Sequence, residues 1–258
     1  MRQAAFAMPV SDPRSVAGLG ATVEVRRHPA ARRLTLRVSH TRRAVIVTMP
    51  TGARLEEAGN FLARHIDWVR AKLDAVPSAH PFAHEGLLPV RGQVHRIRFT
   101  GPWHMAPPAK RLDVVWTEPR PLVNDPALSA VCVSGHLEHA PRRLKDWLVV
   151  QARKDLSLRV AWHAQSLALR PKRITIRDQA SRWGSCSSTG LLSFSWRLVL
   201  APPHVLDYVA AHEVAHLKEM NHSKRFWALV RQTMPGMDVA KAWLNANGHA
   251  LHCYGRDC

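Results

Sequence analysis

No apolar run in this sequence approaches the ~18 residues needed to cross a bilayer, so the chain is expected to be soluble and to have no membrane partner. Its opening stretch, MRQAAFAMPVSDPR, has one arginine ahead of a short apolar run that Pro9 and Asp12 break, which makes a poor secretory signal. Cysteine is sparse as well. The four residues Cys132, Cys186, Cys253 and Cys258 share no repeated spacing. That argues against a disulfide framework and for reduced thiols in a cytoplasmic protein. Acidic residues are the third shortage: 19 Asp and Glu face 37 Lys and Arg, a formal charge of +18. The imbalance is not a tail effect, because the residues up to 140 and those from 141 onward are both basic. Such a field attracts polyanions, so the basic surface offers nucleic acid as a further partner, although charge alone says nothing about specificity.

At 258 residues the chain is long enough for one large domain or two small ones. Residues 21–49 read as a β unit: TVEVRR, RRLTLRV and AVIVTMP are rich in β-branched residues and separated by short basic turns. The spacing of Leu55, Ala58, Leu62, Ile66, Val69 and Leu73 predicts a single packing helix over 51–76, capped by Thr51. Nine prolines interrupt residues 77–136, where VHRIRF (94–99), LDVVW (112–116) and AVCV (130–133) are the strand candidates. From about 140 the pattern turns helical, over 141–169, until Pro171 ends it. Strands RITIRD (173–178) and LLSFSWRLVL (191–200) follow, with Gly190 as a hairpin-like turn ahead of the second.

Pro202 and Pro203 open the next helix, expected to run from Pro203 to about Met220. Apolar side chains point in nearly every direction around it, and before Lys218 its interior polar residues are Asp207, His212, Glu213 and His216. Burying a carboxylate beside two imidazoles costs several kcal/mol unless something compensates. A divalent cation does so directly. His212 and His216, four apart, project from one face as two ligands of a tetrahedral metal. Glu213, about 100° round the helix, is placed to take a proton from the attacking water and deliver it to the leaving group. This is the H-E-x-x-H pattern of zinc metallopeptidases. His222 is the candidate third ligand, provided that the helix ends near Asn221 and swings it back. Surface histidines on a basic helix are the bland alternative, and so apolar a frame does not suit it. The other thirteen histidines have no comparable partners and read as surface or packing residues. Met234 and Met237 read as core rather than as a floor under the metal.

The stretch SRWGSCSSTGLLSFSWRLVLAPPHVLDYVAAHEVAHLKEMNHSKRFW (181–227) resembles the YgjP-like family of metal-dependent hydrolases. The similarity extends through ARRLTLRV, PVRG (89–92) and MPG…AWL (234–244), and it is strongest from 175 to 244. The resemblance implies a minimal zincin-type domain related to SprT-like and WLM proteases, with Zn2+ held by His212, His216 and His222 and with Glu213 as the catalytic residue. It also places Trp183, Gly184, Ser185 and Cys186 on a strand beside the active-site helix, where an extended peptide could pair.

The expected fold is α+β. An N-terminal β-rich region with one helix and a Pro-rich irregular segment (1–136) precedes a zincin-like catalytic domain (137–258), whose active-site helix lies beside a short antiparallel sheet. The expected activity is zinc-dependent hydrolysis of a peptide or protein. Three alternatives stay open: a protease acting on DNA-bound proteins, hydrolysis of a non-peptide amide, and a non-enzymatic nucleic-acid-binding module with a structural zinc, in which Cys186 would fill the fourth position.

Overall fold

In the computed structural model, residues 19–39, 44–74, 79–101, 114–118, 128–179 and 182–255 are described. The first part of the strand expected at 112–116 lies outside them, as does Cys258 and with it any pairing with Cys253. The chain divides into two compact units, Met1–Ser78 and Ala79–Cys258.

In the first unit, β1 (Thr22–Arg27), β2 (Thr35–Ser39) and β3 (Ala44–Met49) form a sheet in the order β1-β3-β2. The central strand, AVIVTM, is nearly all buried. It pairs in parallel with β1 and antiparallel with β2, which suits its continuous apolar run. The single helix expected over 51–76 is instead two, α1 (Leu55–Arg64) and α2 (Ile66–Asp74). His65 breaks it, with its ring N–H donating to Phe61 O at 2.9 Å. Thr51 is not the cap. Arg54 holds that position, and its N–H donates to the Glu57 carboxylate. Ala58, Leu62, Val69 and Leu73 pack on Val45, Val47 and Met49, as the helical spacing requires.

The second unit opens with a four-stranded sheet, β4 (Leu87–Val90), β5 (Gln93–Gly101), β6 (Val115–Glu118) and β7 (Ser129–Ser134), in the order β4-β5-β7-β6. Leu88, Val90, Ile97, Val131 and Val133 share one core with Leu144, Leu148 and Leu156 of α3 (Ala140–Ser166). Packing therefore groups residues 79–136 with the helices that follow, whereas composition drew the line at 136/137. The β4–β5 turn takes left-handed backbone at both Arg91 (φ 51°) and Gly92 (φ 78°), as a two-residue hairpin requires. Its amides donate to Val199 O and Leu200 O, and the Arg91 guanidinium forks onto Asp155. The PVRG turn thus holds down the segment that leads into the helix Pro203–Ala215.

Beyond α3 come β8 (Arg173–Arg177), β9 (Gly184–Cys186) and β10 (Leu191–Ser195), then a buried 3-10 turn over Trp196–Leu200 in place of the second half of the expected strand. Gly190 (φ 78°) turns β9 into β10, antiparallel as expected, whereas β8 pairs with β10 in parallel, so the sheet is mixed. Three helices complete the unit: α4 (Pro203–Ala215), α5 (Lys224–Thr233) and α6 (Met237–Leu251). The fold is α+β, with six helices and three small sheets among the described residues. None of these helices is long and apolar enough to cross a membrane.

A clasp fixes α4 against α3. The Asp207 carboxylate accepts from Nε and Nη2 of Arg159 and from the His163 ring, which is fully buried. Burial would raise the Asp207 pKa, but the bonds from His163 and Arg159 outweigh it and hold the carboxyl below its ordinary value. Asp207→Ala strands both partners and should destabilise the protein by about 3 kcal/mol in denaturant unfolding. Because the folded pKa is depressed, the contribution is present above the ordinary carboxylate value and lost as pH falls through it. The variant should therefore also show a weaker loss of stability on the acid side.

Candidate metal centre

α4 is apolar almost all round; Val205, Leu206, Val209, Ala210, Ala211, Val214 and Ala215 are all buried. The helix ends at Ala215 with His216 as its C-cap, earlier than the sequence spacing suggested. Lys218 and Glu219 both donate to Ala215 O, and the Glu219 carbonyl accepts from His216 Nδ1 at 2.9 Å. This tight exit, rather than a turn at Asn221, returns the chain so that His222 comes back over the helix. The His216 bond also fixes its tautomer and leaves Nε2 as the free lone pair.

One ligand nitrogen from each of His212, His216 and His222 lies within 4.8 Å of the others. His212 Nε2 and His222 Nε2 are 3.1 Å apart, near the ~3.3 Å edge of a tetrahedron built on zinc–nitrogen bonds of 2.0–2.1 Å. Neither a cysteine sulfur nor a carboxylate oxygen joins the group among the described residues. Burial, followed by its histidine neighbours and Lys241, pushes His212 down to about 3; burial also lowers His216. Both rings are thus held neutral, the form that binds a metal.

Glu213 is only 5% exposed, and its Oε2 has no hydrogen-bond partner. Burial pushes its carboxyl up to about 8, against the partly offsetting charge of Arg182. It lies on Gly184 so closely that a Cβ there would meet Oε1 at 2.5 Å. Three converging imidazoles and an orphaned buried carboxylate oxygen fit a divalent cation by their donor chemistry.

Of the four strand residues expected beside the helix, Gly184 touches Glu213, and Cys186 feels its charge with a thiol pKa raised by burial. Ser185 sits opposite Ser193 of β10. Trp183 turns the other way, stacking on His252 at 4.4 Å and meeting Gly248 of α6. No described strand pairs with the outer edge of β9. Met234 and Met237 are core residues.

Sequence reasoning missed the aromatic wall. Phe226 lies 4.5–4.8 Å from all three imidazoles, and Trp227 stacks on His222 at 5.8 Å. Ser223 caps α5 by accepting from Phe226 N, which aims the first turn at the histidines. The signal was a Ser cap with aromatics three and four residues on, directly after His222.

The family model for the YgjP-like metallopeptidase domain matches residues 32–247. No curated protein matches the chain. Among solved structures, the metallopeptidase zymogen abylysin of Pyrococcus abyssi is 22% identical over 35% of this chain and 90% of its own, with a TM-score of 0.32.

Two outcomes follow from this packing. Gly184→Ala drives a methyl into the Glu213 carboxylate and should cost about 1–3 kcal/mol in thermal or denaturant unfolding. In metal-stripped protein, Glu213 keeps its proton longer folded than unfolded, so stability falls as pH rises from 4.5 to about 8. His212 and His216 act in the opposite sense, but their contribution is complete by their ordinary value of 6.5. Between pH 6.5 and about 8 the decline should therefore be visible by denaturant unfolding and be flattened in Glu213→Gln.

Proposed function

The chain belongs to the YgjP-like metallopeptidase family, and on that premise we propose that it is a zinc-dependent peptidase with His212, His216 and His222 as ligands and Glu213 as its general base. The observation that carries this reading is the meeting of three imidazole nitrogens beside a buried, unpartnered carboxylate on one short helix. Zinc bound there supplies a Lewis acid that polarises the scissile carbonyl and acidifies water. The three-histidine set leaves a fourth position open, as a catalytic site needs. A purely structural site would be closed by a fourth protein ligand, and Cys186 does not join the group.

The protein's own groups divide the remaining work. Glu213 accepts the proton of the attacking water and passes it to the departing amine. Gly184, without a side chain, lets the carboxylate stand against β9. The free edge of β9 offers backbone donors and acceptors to an extended peptide. The Glu219 carbonyl fixes the His216 tautomer, while Phe226 and Trp227 hold His222 and exclude water from one side.

Metal analysis of purified protein should find about one zinc per chain, lost in the His212→Ala, His216→Ala double variant. Equal, negligible zinc in both would sink the reading. Glu213→Gln should keep its zinc and lose peptide cleavage by about 10²–10⁴-fold. Cleavage at the wild-type rate would remove Glu213 from the chemistry.

A further inference from the structure

Lysine and arginine crowd the residues that frame the metal centre. Arg182 precedes β9, Lys218 follows His216, Lys224 and Arg225 follow His222, and Lys241 stands on α6. None of them makes an ion pair with a carboxylate among the described residues. The acid nearest Lys241 on its own helix, Asp238, is engaged by Arg231. Elsewhere in this unit the carboxylates of Asp155, Asp178 and Asp207 are each taken up by an arginine.

Two of these cations are tied to groups of the centre. Lys241 Nζ lies 4.4 Å from the Trp227 ring centroid, and that ring stacks on His222. A half-buried ammonium is therefore held one aromatic ring away from a ligand imidazole, and its charge reaches His212. Arg182 leads into the strand whose Gly184 touches Glu213, and its charge is felt at that carboxylate. A carboxylate arriving at either place displaces no existing partner.

We propose that Lys241, together with Arg182, is a specificity-determining cation of this site and that the peptides bound carry aspartate or glutamate within two residues of the scissile bond. The inference rests on the peptidase reading above and names its substrate class. Polypeptide is favoured over nucleic acid because Arg182 leads into β9, an edge strand paired only with β10 among the described residues, and such an edge pairs with an extended peptide. Residues of such a peptide advance about 3.3 Å each, so an acidic side chain one or two positions from the reacting carbonyl reaches a cation beside the histidines.

The experiment uses the full chain carrying Glu213→Gln, zinc-loaded, so that binding is measured without turnover. The probes are a synthetic peptide with Asp and Glu flanking its centre and its Asn/Gln isostere, titrated by calorimetry. The acidic peptide should bind about tenfold tighter, and raising the salt should shrink the ratio. Lys241→Gln should collapse the ratio, Lys241→Arg should retain it, and Lys241→Glu should invert it toward a lysine-bearing peptide. Equal affinities, no binding of either peptide, or a ratio that survives Lys241→Gln combined with Arg182→Gln would overturn the proposal. So would a single-stranded oligonucleotide that outcompetes the acidic peptide and loses its grip on the same substitutions, since these cations would then belong to nucleic acid. Cleavage of the acidic peptide by the wild type is scored separately. Selective binding without cleavage would refute the peptidase reading and leave the anionic preference standing.

Discussion

A carboxylate buried without a partner on an apolar helix is the constraint around which this unit is organised. Left alone, Glu213 is an expense that folding would avoid, and its pKa rises to about 8 in consequence. Everything near it keeps that arrangement in place. Gly184 gives up its side chain so that the carboxylate fits, α4 surrounds it with valine and alanine, and the helix ends at Ala215 so that a third imidazole can return over the same face. The Asp207 clasp to Arg159 and His163 and the Arg91–Gly92 turn against Val199 and Leu200 anchor α4 at its far end.

Much of this is legible in the chain. An almost wholly apolar helix with His, Glu and His at one pitch points to a cation on burial arguments alone, and the periodicity of α3 and the β-branched run of β3 announce their elements. The places where reading and structure part company have physical causes. His65 breaks the first helix because its ring competes for Phe61 O. α4 stops early because Lys218 and Glu219 both turn back to Ala215 O, and no propensity at Met220 or Asn221 announces that. The aromatic wall of Phe226 and Trp227 was hidden because any aromatic on a helix first reads as core. Trp183, expected on the strand beside the site, stands just ahead of β9 and packs against α6.

Residue type alone also misplaced the unit boundary. Proline-rich residues 77–136 look like a connector by composition, yet their strands lie in the same core as Leu144 and Phe194. The Pro-Val-Arg-Gly turn shows why: its value lies in what it touches, and that contact is remote in sequence.

That remoteness bears on how the protein is made. The four chemical groups of the centre fall within eleven consecutive residues, but the backbone bonds that seat their helix join Arg91 to Val199, about a hundred residues further on, and His80 to Cys253 and Gly255. Closing such long loops comes at an entropic cost before any contact rewards it, so these joints form late in folding. On the ribosome, α4 is synthesised well before residues 253–255 emerge to close the unit around its beginning. A short motif that can be recognised locally is thus set in a unit closed by contacts remote from it in sequence.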